Sequence, residues 1–75
     1  MTKSTLAQFE STALVTPEYA VGVLTGDDGV FKYVANRAGD RVFFDVHQHT
    51  VAGDVIHKII VDRGFGRLIS SRMEK

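Results

Sequence analysis

Three runs of β-branched and aromatic residues follow one another between Tyr19 and Gln48, separated by short polar stretches that contain glycine. Residues 19–26 read YAVGVLTG, residues 30–36 VFKYVAN and residues 41–48 RVFFDVHQ. Such runs favour strands, because branched and ring side chains pack well on a pleated surface. The Asp28-Gly29 pair supplies a hairpin signal, and RAGD offers Gly39 for a positive φ. The pattern predicts a three-strand antiparallel meander.

Beyond Thr50 the spacing changes. Val51, Val55 and Ile59 lie four apart, with Ile56 and Ile60 beside them, which is the stripe of an amphipathic helix. Thr50 is placed to cap it, Asp54 suits its first turn, and Gly64 suits its end. A second helix is expected over FGRLISSRMEK, residues 65–75, with Phe65, Leu68, Ile69 and Met73 on one stripe. The first segment, STLAQFESTALV, fits either a helix capped by Ser4 or a strand with Phe9, Ser11, Ala13 and Val15 on one face. Thr12, Val15 and Thr16 favour β, and Pro17 separates the segment from the meander, so it is read as a strand. The expected fold class is α+β: a four-stranded antiparallel sheet with two C-terminal helices packed on one face.

Cross-strand partners share a face. A turn at Asp28-Gly29 sets Leu24 opposite Tyr33 and Val23 opposite Val34. A second turn with Asn36 opposite Arg41 sets Tyr33 opposite Phe44 and Lys32 opposite Asp45. One face then collects Ala20, Gly22, Leu24, Phe31, Tyr33, Ala35, Val42, Phe44 and Val46, which is the expected core. The other collects Tyr19, Val21, Val23, Val30, Lys32, Val34, Arg41, Phe43, Asp45 and His47. A simple two-layer protein would make that face polar. Here it has an apolar centre within a charged rim, the pattern of an interaction surface.

Composition narrows the function classes. A chain of 75 residues makes one domain, residues 1–75, and has no cysteine for a disulfide. No apolar run is long enough for a membrane span, and Gln8 and Glu10 interrupt the N-terminal stretch as a leader, so a soluble cytoplasmic protein is expected. The net charge is zero but polarised. Lys3 stands against Glu10, Glu18, Asp27 and Asp28 at one end, whereas Lys58, Arg63, Arg67, Arg72 and Lys75 outnumber Asp62 and Glu74 at the other.

Asp45, His47 and His49 occupy alternate positions and so one face of a strand. A catalytic metal needs three ligands with oriented imidazoles. Here Asp45 is expected to pair with Lys32, and His57 falls on the helix of the opposite face. No metal, cofactor or catalytic site is assigned. Ser70 and Ser71 have no neighbouring His-Asp pair, and RGFGRL matches no phosphate-binding spacing. Arg63, Arg67 and Arg72, on the C-terminal helix region, form a basic stripe able to neutralise phosphates; a nucleic-acid-binding or regulatory module is the alternative function.

The order of elements, with Ser-Thr-Ala at Ser11–Ala13 on the first strand and Gly-Phe-Gly-Arg at Gly64–Arg67 between the helices, resembles a small phage anti-CRISPR family. That family inhibits type I-F surveillance complexes by docking on their backbone Cas subunits. The resemblance implies an inhibitor with no catalysis. It also implies tyrosine anchors on the first two strands and an acidic residue on the third. Phe9 stands in for the first tyrosine; the second position falls near Gly22 or Val23 and the acidic one near Ala35. These departures imply a changed target surface, with Tyr19 as the aromatic anchor. The expected function is a protein-binding module that uses its sheet face, with Phe9, Tyr19, Val23, Lys32 and Phe43 as partner-binding residues. A homodimer through the face or an edge strand would use the same patch.

Overall fold

The computed structural model describes residues 1–74. One helix, α1 (Lys3–Ala13), precedes five strands: β1 (Tyr19–Gly26), β2 (Gly29–Ala38), β3 (Arg41–Thr50), β4 (Gly53–Asp62) and β5 (Arg67–Glu74). The strands form one antiparallel sheet in sequence order. The helix lies on its inner face. This corrects the expected four strands with two C-terminal helices: the fold is mostly β, and its one helix is N-terminal.

Residues 51–64 do not form a helix, for a definite reason. A spacing of four satisfies both a helical stripe and strand alternation. Val55, His57, Ile59 and Val61 are buried, while Ile56, Lys58 and Ile60 between them are half-exposed. That is strand periodicity, and five branched residues in this stretch reinforce it. The Thr50 hydroxyl caps a turn instead of a helix. It donates to the Gly53 carbonyl (2.6 Å) and accepts from the Ala52 N–H (3.2 Å). Gly53 takes φ 117°, where a side chain would be strained. The segment expected as the second helix is β5, an edge strand joined to β4 with a register shift between Ile60 and Val61. Its last expected residue, Lys75, lies outside the described residues.

The first segment is α1, not a strand. Leu6, Ala7, Gln8 and Glu10 are good helix formers. Thr2, rather than Ser4, is the N-cap, its hydroxyl accepting from the Thr5 N–H (3.3 Å). Thr5, Phe9 and Ala13 make the buried stripe. At the other end Arg63 donates to the carbonyls of Leu14 (2.8 Å) and Thr16 (3.2 Å), satisfying acceptors that the terminated helix leaves free. Glu10 accepts from the Leu68 N–H (2.8 Å) and so ties the helix to β5 beside the register shift.

The core lies between α1 and the inner face. Phe9 meets Phe44 (ring centroids 5.1 Å apart) and Tyr33 (5.7 Å) edge to face, with Phe31, Val42, Val46, Ile59 and Val61 buried around them. The expected inner set from Ala20 to Val46 is therefore right in face. Its registers are not. Leu24 pairs with Phe31 and Ala38 with Arg41, so each hairpin is displaced by two residues from the expected pairing. A shift of two keeps every side chain on its face. The first turn is Asp27-Asp28, because the Asp28 carboxylate accepts from the Thr5 hydroxyl and the Thr2 N–H, both at 2.8 Å.

Candidate functional site

The uncovered face of the sheet is the candidate site. Register places its side chains in rows across the strands. Val21 stands beside Val34, then Asp45, Lys58 and Arg72. In the next row Tyr19 is followed by Asn36, Phe43, Ile60 and Ser70, and on the other side Val23 is followed by Lys32, His47, Ile56 and Glu74. The β1 half is apolar, and charge accumulates towards β5. Tyr19, Val21 and Val23 are each more than half exposed, at 62%, 63% and 58%, and Phe43 is 38% exposed. Val34 stands beside Val21 on β2, and Ile60 stands beside Phe43 on β4. Such a row of exposed large apolar side chains costs hydration free energy unless something covers it.

Four of the five expected partner-binding residues, Tyr19, Val23, Lys32 and Phe43, share this face. Phe9 does not: it is wholly buried on the opposite side of the sheet and acts as the hub of the core. Ile56, Lys58 and Ile60 also belong to the face, where the spacing of four predicts a helix instead. The alternation of Val55, His57, Ile59 and Val61 with those three was the signal.

Asp45, His47 and His49 also lie on this face, as their alternation requires. Asp45 pairs with Lys58 (2.5 Å) rather than with Lys32, which stands opposite His47. His49 Nδ1 meets the Asp54 carboxylate at 2.7 Å, with both side chains exposed. Val30, Lys32, His47, Gln48, His49 and Asp54 line an open groove of about 510 Å³ beside the apolar patch. No group of three or more His, Asp or Glu side chains among the described residues is arranged to hold a metal ion.

His57 faces inward, with its ring edge-on to Phe31. The Gln48 amide donates to the Asp28 carbonyl (2.8 Å), which leaves its oxygen to accept from His57 Nε2–H (3.0 Å). The hydrogen bond thus places a proton on His57 Nε2. Burial, then the nearby positive N-terminus, hold its pKa below the usual value against the pull of Asp28. Burial pushes the Asp28 carboxyl up, but the Thr5 hydroxyl and the backbone hydrogen bonds outweigh it and leave it lowered. Both groups therefore link stability to acid. The unfolded chain takes up protons first, so His57 stabilisation falls away as pH drops below about 6.5 towards its folded pKa. The Asp28 contribution is lost as pH falls through the ordinary carboxylate range, where the unfolded chain protonates, towards its lowered folded value. The urea midpoint should fall between pH 7 and pH 5, and His57→Leu should flatten that slope; an unchanged slope would contradict the assignment.

The basic residues form no helical stripe. Arg63 is committed to the carbonyls of Leu14 and Thr16, Arg67 starts β5 opposite Asp62, and Arg72 pairs with Glu74 at 3.0 Å. The C-terminal helix expected to carry these residues is thereby corrected: Arg67 and Arg72 lie on β5, and Arg63 precedes it. No helix among the described residues is long and apolar enough to cross a membrane.

Comparison with family models, with curated proteins and with solved structures returned no match.

Proposed function

We propose that the chain is a small protein-binding module whose working surface is the outer face of its sheet. The observation that carries this is the patch of Tyr19, Val21, Val23, Val34, Phe43 and Ile60 on a face that α1 leaves uncovered, rimmed by Lys32, Arg41, Asp45 and Lys58. An apolar centre excludes water and a charged rim sets register, which is the anatomy of a protein interface. The reading assigns the chain no catalysis and places it in the cytoplasm, where a cysteine-free scaffold needs no oxidant.

The resemblance to an anti-CRISPR family rested on an element order of four strands and two helices. The observed order is a helix and five strands. The partner class therefore rests on the face, and a type I Cas complex is the first candidate to test. The tagged chain is mixed with such a complex from nuclease-treated lysate, and bound Cas subunits are quantified. Phe43→Asp should weaken capture by at least about tenfold with the urea unfolding curve little changed, because it places a charge at the centre of the patch. Equal capture by wild type and variant would contradict the face assignment. If the wild type captures no Cas subunit, that partner class is excluded.

A further inference from the structure

The two edges of the sheet are built differently. The β5 edge carries Arg67, Arg72 and Glu74 and is joined through a register shift, devices that discourage a further strand from pairing. The β1 edge has none of these. Tyr19–Gly26 contains no charge and no proline, and it pairs on one side only. Its free hydrogen-bonding groups follow from one bond: the Glu18 carbonyl accepts from the Arg37 N–H at 2.9 Å. Alternation from that pair turns the even-numbered residues of β1 towards β2. The N–H and C=O groups of Tyr19, Val21, Val23 and Thr25 then point outward. These residues also carry their side chains on the apolar outer face.

Charge brackets this edge. Glu18 precedes the strand and Asp27 follows it, both exposed. Two copies joined antiparallel through β1 would bring Glu18 of one towards Asp27 of the other, a like-charge contact at both ends. A strand with basic ends meets the opposite situation. We propose that β1 is an acceptor edge for an extended segment of a partner protein, with apolar branched residues at alternate positions and Lys or Arg at both ends. The segment adds a sixth strand, and its apolar side chains extend the patch of Tyr19, Val21 and Val23. This rests on the sheet face as the working surface and adds the partner's conformation and charge pattern.

The test uses the full chain and the acetylated, amidated peptide Lys-Val-Thr-Val-Thr-Val-Thr-Val-Lys, whose four valines match the four outward residues of β1, read by amide chemical shifts and hydrogen exchange. Shifts and slowed exchange are expected at the amides of Tyr19, Val21, Val23 and Thr25. Replacing both terminal lysines by glutamate should weaken binding about tenfold, and salt should reduce the difference. N-methylation of the valines, whose N–H groups face β1, should abolish binding, and N-methylation of the threonines should not. Thr25→Pro removes an outward N–H at a residue outside the apolar patch and leaves the β1·β2 ladder intact, so it should weaken peptide binding strongly while staying folded. If that variant fails to fold, the methylated peptides decide alone. Perturbation at β5, equal affinity of the two end-charge variants, or insensitivity to valine methylation overturns the proposal. Protection of β1 that grows with protein concentration and without peptide overturns it in favour of a second copy. Phe43→Asp separates the two readings in partner capture. Capture lost in that variant but kept in Thr25→Pro leaves the face and removes the edge; the reverse leaves the edge and removes the face.

Discussion

Replacing Phe9 by alanine should unfold much of the population, although a partner-binding role would have left the fold intact. Phe9 is fully buried and meets both Tyr33 and Phe44 edge to face. Truncating such a ring costs about 3–5 kcal/mol, through lost transfer free energy and the cavity left behind. A small domain has roughly 5 kcal/mol or little more to lose. The substitution should therefore remove most of the stability and lower the melting temperature by well over about 10 °C. Equilibrium unfolding in urea measures it directly. A loss under about 1 kcal/mol would mean that α1 does not seat Phe9 between those rings.

The second large effect separates neighbours on β4. Ile59→Lys places an ammonium in the core beside Phe44, its partner across the ladder, and should abolish folding. Ile60→Lys puts the same group on the outer face beside Phe43 and should cost about 1 kcal/mol or less. A helix over residues 51–64 would turn both isoleucines to one stripe and make both substitutions severe. The pair of melting curves therefore reads the strand parity of this segment. Comparable losses in the two variants would contradict the sheet as described.

That parity is also where the sequence reading divided into what was legible and what was not. The allocation of side chains between the two faces of β1, β2 and β3 was legible from alternation alone. It survived two misplaced hairpin registers because each slip was of two residues. The turn at Asp27-Asp28 was hidden because Thr2 and Thr5 fix it from α1, a tertiary cause with no local signal. The helix and strand assignments at the two ends were exchanged: the strand expected at the first segment rests on the alternation of Phe9, Ser11, Ala13 and Val15 and on Thr12, Val15 and Thr16, and the helix expected over residues 51–64 on a spacing of four. Phe9 and Ala13 fit a strand as well as a helix, and Val55 and Ile59 fit a helix as well as a strand. Local composition should have decided between them. Leu6 to Ser11 has no β-branched residue, whereas Val55, Ile56, Ile59, Ile60 and Val61 crowd β4. The candidate site was legible as a face but not in extent, because its β4 and β5 portions had been folded into helices.

The outer face as the contact surface is tested most directly by methyl cross-saturation from an unlabelled bound partner to the labelled chain. The account predicts that the methyl signals of Val21, Val23, Val34 and Ile60 lose intensity, while those of Val42, Val46 and Val61 on the inner face keep theirs. Loss concentrated at exposed positions of α1, such as Ala7, with the outer-face valines unaffected, would contradict it.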